Sequence, residues 1–227
     1  MNVIIKKIIP YALKRLLGRS KLFWSLRSKF TGKDVWIGYA KQYSDERRGF
    51  FSSFVDEKGC VTILDYGYAS GPNLRRIETD LKKKFFYFLG IDISNDAIKI
   101  AKSIIKSNAK FSRYLTSENI LEFSKQSQDG IVDLAIFDRV LTILNKKDLA
   151  NLFLIISKYV RYIIIDDFFS EQEFQDKVWL ARNYEKLLKE YGYKIVNKKK
   201  SEHLITSKFH SEHAYLMVFE KKTGDNF

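Results

Sequence analysis

Cysteine, proline and histidine are scarce in this chain of 227 residues, and each scarcity removes a class of explanation. The single cysteine, Cys60, excludes an internal disulfide framework and any cysteine-based metal cluster, and fits a reducing compartment. It precedes an apolar run and reads as a small residue at a strand edge. Prolines stand only at Pro10 and Pro72, and no Gly/Ser/Pro-rich tract or internal repeat divides the chain, so one domain with a buried core is expected. No run approaches the ~20 apolar residues that a membrane span needs. Lys6 and Lys7 interrupt the first apolar stretch, which a secretory leader would not tolerate. The expected location is therefore cytoplasmic.

Acidic residues are missing from positions 1–33, and this accounts for most of the charge. Nine basic side chains there supply +9 of the net +13, leaving +4 for all the rest. So local an excess argues against nucleic acid as a partner. Ile5, Ile8, Ile9, Ala12, Leu13, Leu16 and Leu17 share one helical stripe, with Lys6, Lys7, Lys14 and Arg15 opposite. Phe23, Trp24, Leu26 and Phe30 then interleave with Lys21, Arg27 and Lys29. Two readings follow for this basic amphipathic segment, 1–33, ahead of the main domain, 34–227. Residues 1–30 lie on an anionic membrane surface, at the inner face, or they pack on the domain with a solvated basic side.

Beyond it, residues 35–55 read as a helix, with Asp45, Glu46, Arg47 and Arg48 on its exposed side. Strands are expected near 61–65, 86–92, 109–114, 131–138 and 160–167, each followed by a helical period. Alternation of this kind predicts a parallel sheet with helices on both faces. The tail departs from it: a helix near 172–191 leads to strands at 194–196 and 213–220 with only a loop between, an antiparallel pair at the sheet edge. The chemistry belongs at the carboxyl ends of the parallel strands.

The first strand, Val61-Thr62-Ile63-Leu64-Asp65, runs into Tyr66-Gly67-Tyr68-Ala69-Ser70-Gly71. A strand that ends in an acid and then in a turn of small residues presents backbone amides to a nucleotide-type ligand. Small residues at 67, 69 and 71 follow Asp65 at every second position, whereas a dinucleotide fingerprint needs its third glycine one residue later. The second strand ends in Gly90-Ile91-Asp92-Ile93-Ser94, and Asp92, 27 residues after Asp65, is placed to accept hydrogen bonds from a ribose diol. Ser94 can cap the next helix.

These two segments, with Val132-Asp133-Leu134-Ala135-Ile136-Phe137 and Val140-Leu141, resemble successive motifs of class I S-adenosylmethionine-dependent methyltransferases. The likeness runs from about residue 61 to the C-terminus. It implies a Rossmann-like α/β fold, a seven-stranded mostly parallel sheet whose last strand is antiparallel beside the fifth. It also implies a cofactor set. The loop Gly67, Tyr68, Ala69, Gly71 lies under the methionine part, Asp65 orients its ammonium, Asp92 holds the ribose, Ile93 packs on adenine, and Ser117, Glu118 or Asn119 meets the adenine edge. Asp138 lies at the methyl end. Two departures stand out. Ala69 replaces a usual glycine, which a turn with φ < 0 tolerates. Thr142-Ile143 stands where the family often has histidines, so no base carries over from there.

An oxygen acceptor must still lose a proton, to a base or a metal-bound oxygen. Asp138, Asp166 and Asp167 end the fourth and fifth strands, a placement similar to the metal-ligand acids of catechol-type O-methyltransferases, and three such oxygens could hold Mg²⁺. Against that role stand helix capping, substrate hydrogen bonding and an Asp138–Arg139 pair. His210 and His213 are candidate bases in the final loop and strand, and Trp36 and Tyr39 either close the site or fill core.

The leading expectation is O-methylation of a small hydroxylated acceptor such as a sugar or bacterial cell-surface glycan precursor, within polysaccharide biosynthesis. An RNA methyltransferase with a ribose or purine target is the second possibility within catalysis. Amino-directed DNA methylation would require an Asn/Asp-Pro-Pro-Tyr/Phe motif, and pyrimidine-C5 methylation a cysteine elsewhere than position 60. A non-catalytic S-adenosylmethionine-binding membrane scaffold would also account for these motifs, while the glycine spacing disfavours an NAD-dependent oxidoreductase.

Overall fold

A computed structural model describes residues 21–32, 34–82, 84–175, 179–201 and 208–222. The charged helical stripe proposed for residues 5–17 lies outside them, as does His203. Three short helices come first, α1 (Lys21–Ser25), α2 (Arg27–Thr31) and α3 (Asp34–Lys41). Two 3₁₀ turns, Gln42–Ser44 and Glu46–Arg48, lead to α4 (Gly49–Lys58). The helix expected over 35–55 is thus broken in the middle. Asp45 breaks it, because its carboxylate caps the second turn by accepting from Arg47 N (3.2 Å).

The alternating part follows as β1 (Thr62–Tyr66), α5 (Pro72–Asp80), β2 (Tyr87–Ile91), α6 (Asn95–Ile104), β3 (Asn108–Ser112), α7 (Ser117–Ser124), β4 (Val132–Asp138), α8 (Lys146–Ile156) and β5 (Val160–Phe168). The tail contains a two-stranded hairpin, β6 (Phe174–Gln175) and β7 (Leu180–Ala181), then α9 (Tyr184–Lys189), β8 (Tyr193–Lys200), α10 (Lys208–His213) and β9 (Ala214–Lys221). A single helix over 172–191 was the expectation. The hairpin displaces its first half, anchored by Leu180 N donating to Thr142 Oγ1 (2.8 Å). The connection between the last two strands likewise carries α10 where only a loop was foreseen.

One sheet holds seven strands in the order β3-β2-β1-β4-β5-β9-β8. The first five are mutually parallel, and β9 enters antiparallel between β5 and β8. Because side chains alternate along a strand, each central strand feeds two cores. Leu64, Ala135, Phe137, Ile163 and Ile165 meet Ile120, Phe123, Leu152, Phe153 and Leu188 on one face. Ile63, Leu134, Ile136 and Ile164 meet Phe51, Phe54, Val55, Leu74 and Ile77 on the other. Burying each such side chain stabilises by roughly 2 kcal/mol. Among the described residues no helix is long and apolar enough to cross a membrane.

The basic segment's described portion packs on the domain. Phe23 is buried, Arg27 Nη1 donates to Tyr39 Oη (2.9 Å), and Ser28 Oγ is hydrogen-bonded to Asp96. Arg27 also lies 4.6 Å from the Trp24 ring centroid.

Candidate functional site

The carboxyl ends of β1, β2 and β4 open into a cavity of about 470 Å³, roofed by the N-terminal helices through Trp24, Trp36 and Tyr39. A volume of this size is ordinary for a small-molecule site. Gly67, Tyr68, Ala69, Asp92, Ile93 and Asp138 line it.

The turn after β1 is shaped by sterics. Gly67 has φ +75°, and a Cβ there would lie 2.4 Å from Val140 Cγ2, so only glycine fits. Its N–H and that of Tyr68 donate to Ile91 O, which sews the turn to β2. Gly71, at φ +79°, is the residue before α5, which Pro72 then starts. Ala69 departs from expectation: its φ is +53°, a left-handed conformation that alanine adopts under strain, where φ < 0 was anticipated. Asp92 holds it there by accepting from Ala69 N (2.9 Å), and accepts from Ser94 N (2.8 Å) through its other oxygen. Ser70 Oγ donates to Trp36 O (2.6 Å), fastening α3 over the turn.

Asp65 is fully buried and does not line the cavity, and neither carboxylate oxygen has a partner at hydrogen-bond geometry among the described residues. Burial, reinforced by Asp138 and opposed by Arg48 and the Asn73 side chain, pushes its pKa up to about 8. Burial also raises Asp92, to about 7, against the pull of its two backbone donors. Each Asp92 oxygen keeps a lone pair for another donor. An orphaned carboxylate, a second acid with spare acceptor capacity and a turn closed to any Cβ fit a ligand with one cationic end and a diol further along.

The methyl-end acids are differently placed from the expectation. Arg47 Nη1 donates to Asp138 Oδ1 and to Asp166 Oδ2, both at 3.0 Å, and its Nε to Asp45 (3.0 Å). Arg48 Nη1 bonds the other Asp138 oxygen (2.5 Å) and also Asn73 Oδ1, while its Nε donates to Gln42 O (2.9 Å). Burial alone would raise Asp138, but Arg47, Arg48 and Arg139 hold it well below the usual carboxylate range. A carboxylate so paired is a poor proton acceptor, so Asp138 is a structural anion at the cavity wall rather than a base. A divalent metal does not fit either: the Arg47 guanidinium already bridges Asp138 and Asp166. No group of three or more His, Cys, Asp or Glu able to hold a metal ion occurs among the described residues.

Asp167 points elsewhere, accepting from Thr142 N (3.1 Å) and Phe168 N (2.8 Å), and does not line the cavity. Burial raises it to about 7. His213 is likewise outside, its Nδ1 at 3.1 Å from Phe169 O; one turn earlier, His210 lines the cavity, stacked on Phe168. Ser117 is exposed, and Asn119 bonds Thr116 N and Tyr114 O (3.0 and 2.8 Å) in a capping box. The cavity edge beyond β3 is made by Arg113 and Tyr114 instead.

Arg47, Arg48, Arg139 and Trp179 are among the lining residues that periodicity missed, with Arg113 and Tyr114. The two arginines at 47 and 48 fell on the exposed side of a continuous helix. An acid at an N-cap position, followed four residues on by Gly49, was the available sign that this helix breaks.

The sequence model of a family described as Methyltransferase domain matches residues 57–224. No curated protein sequence matches the chain. Among solved structures, an O-methyltransferase family protein from Burkholderia thailandensis is 11% identical, with a TM-score of 0.65 over 96% of this chain and 70% of its own. The 1,6-didemethyltoxoflavin-N1-methyltransferase of the same organism, with 1,6-didemethyltoxoflavin and S-adenosylhomocysteine bound, is 14% identical, with a TM-score of 0.59 over 91% and 88% of the two chains. Magnesium protoporphyrin IX methyltransferase from Synechocystis PCC 6803, with S-adenosylmethionine bound, is 14% identical, with a TM-score of 0.54 over 96% and 97%.

Proposed function

Since the chain belongs to the methyltransferase-domain family and is an S-adenosylmethionine-dependent methyltransferase, we propose that its reaction is O-methylation of a small hydroxylated acceptor, a sugar or glycan precursor. The observation that carries the reading is one cavity whose lining joins the Gly67 turn and Asp92 to apolar and aromatic side chains. Asp65 is buried near the end of β1 and does not itself line it. Val140, Ile143, Leu144, Trp179 and His210 give the cavity an apolar and aromatic part, suited to one face of a compact acceptor.

Asp92 and Ile93, which line the cavity, would hold the ribose hydroxyls and the base, and the buried carboxylate of Asp65 would favour the ammonium end. When bound, S-adenosylmethionine supplies a methyl on a sulfonium, already activated towards nucleophiles. The chain's own work is to align the acceptor and to exclude water, with α1 to α3 as the roof. His210 is proposed as the group that takes the acceptor's hydroxyl proton, as the imidazole that lines the cavity among the described residues. The 1,6-didemethyltoxoflavin bound by the Burkholderia N1-methyltransferase supports an acceptor of this size class.

The test is calorimetry with S-adenosylhomocysteine followed by methyl transfer from labelled S-adenosylmethionine to a panel of sugars, glycan precursors and RNA. Asp92→Ala is expected to weaken cofactor binding at least tenfold. His210→Gln is expected to retain binding and lose most turnover. Labelling of RNA with none of the small hydroxylated compounds would overturn the acceptor class.

A further inference from the structure

Three arginines stand at the end of β4, and two of them are committed. Arg47 and Arg48 are used by Asp45, Asp138 and Asp166. Arg139 is different. Its guanidinium makes no ion pair or hydrogen bond among the described residues, and Nη2 is buried without a partner. Leaving the N–H donors of Nη2 desolvated and unmatched is costly.

The backbone makes this arrangement more telling. Arg139 has φ +55°, a left-handed conformation that strains a non-glycine residue. Its N–H is fixed to Asp166 O (2.8 Å), and the next residue, Val140, packs on the Gly67 turn. The strained residue is therefore clamped between the cofactor turn and β5. Its side chain lines the cavity, with the guanidinium carbon 5.8 Å from the Phe168 ring centroid, and Phe168 in turn packs on Trp179 and His210. An uncommitted cation thus borders the aromatic part of the cavity. The acids that feel its charge, Asp138 and Asp167, are satisfied elsewhere: Asp138 by Arg47 and Arg48, Asp167 by the N–H groups of Thr142 and Phe168.

We propose that Arg139 is a specificity residue for an oxyanion on the acceptor, a carboxylate or phosphate attached to the molecule whose hydroxyl is methylated. This rests on the small-acceptor reading above and narrows it to hydroxy acids, uronic acids or sugar phosphates. The guanidinium fork matches either anion through paired N–H donors, and Trp179 and His210 in the cavity lining, packed on Phe168, limit the water that would compete. A neutral analogue would leave the buried donors unmatched, which is how a polar site rejects it.

Full-length protein saturated with S-adenosylhomocysteine is titrated with inorganic phosphate and with three matched pairs: galacturonate against galactose, 4-hydroxybenzoate against 4-hydroxybenzamide, and glucose 6-phosphate against glucose. Wild type is expected to bind at least one anion ten times or more tighter than its neutral mate. Arg139→Gln should abolish that difference without changing affinity for the neutral compounds, and Arg139→Lys should retain part of it. S-adenosylhomocysteine affinity, measured on each variant, reports folding and an intact cofactor site. A response confined to glucose 6-phosphate and phosphate assigns a phosphate; one confined to galacturonate or 4-hydroxybenzoate assigns a carboxylate. Equal anion binding by wild type and Arg139→Gln, or no anion binding at millimolar concentration, overturns the inference. Anion binding that depends on Arg139 without methylation of any panel member upholds the anion site and counts only against these compounds as acceptors.

Discussion

Asp65 and Gly67 show how much a single position decides at this site. Burial raises Asp65 to about 8 against the pull of Arg48 and Asn73, so it holds its proton over much of the neutral range. A cationic ligand group stabilises the carboxylate, so binding should release a proton. Cofactor affinity should therefore rise as pH is taken from about 6 to about 8, by up to tenfold per unit for each proton released. Calorimetry in buffers of different ionisation heat checks this, and a pH-independent Kd without proton release would refute it. Gly67→Ala should be severe, because both φ +75° and the 2.4 Å approach to Val140 oppose a Cβ. A loss of about 2–4 kcal/mol of stability is expected, together with cofactor binding; thermal melts and titration measure both. Both residues were legible from the sequence, since a strand ending in an acid and a glycine turn is a local pattern. The sign of φ at Ala69 was not, because it is imposed by Asp92, which lies beyond another strand.

At the scale of elements, the pair of 3₁₀ turns between α3 and α4 couples the cavity roof to the sheet. Arg47 and Arg48 are the bolts, and their acceptors Asp138 and Asp166 are register partners on adjacent strands. Breaking one partner of a buried charge pair leaves the other uncompensated. Arg48→Ala or Asp138→Asn should thus cost about 3–5 kcal/mol. Limited proteolysis should then cut faster near residues 41–48 than in wild type, and unchanged cleavage would contradict the coupling. Because Arg47 occupies the space between Asp138 and Asp166, a chelator should leave methyl transfer unaltered; restoration of a chelated enzyme by Mg²⁺ would show otherwise. The reading of Asp138, Asp166 and Asp167 as a converging trio came from their strand-end positions. Strand ends fix where a backbone stops, whereas the direction of each carboxylate depends on its partners, and some of those are 25 to 119 residues away in sequence.

For the whole molecule, three buried acids set the pH behaviour. The pKa values of Asp65, Asp92 and Asp167 are raised to between about 7 and about 8, so each favours folding while protonated. That contribution is complete below the unfolded value near 3.8 and is lost as pH rises through the folded value. Asp138, held low by its arginines, stays charged across this range and adds no slope there. The cofactor-free protein should accordingly melt at falling temperature from about pH 5 to about pH 8, and S-adenosylhomocysteine should reverse part of the fall. Scanning calorimetry with and without the ligand decides it; a melting temperature that climbs over this window would contradict the assignment.

The sequence by itself determined the layered α/β plan, the antiparallel close of the sheet and the cofactor turn. Each of these is written in short-range periodicity or in the spacing of a few adjacent residues, and the backbone obeys such patterns locally. Only the tertiary structure decided that Arg48 is buried with Arg47 beside it, that Asp138 is locked in ion pairs, that His210 and not His213 meets the cavity, and that Arg139 is left uncommitted. The physical reason is that a charge's role depends on what neutralises or desolvates it. Those neighbours come from β4, β5, α10 and the break between α3 and α4, which only folding brings together.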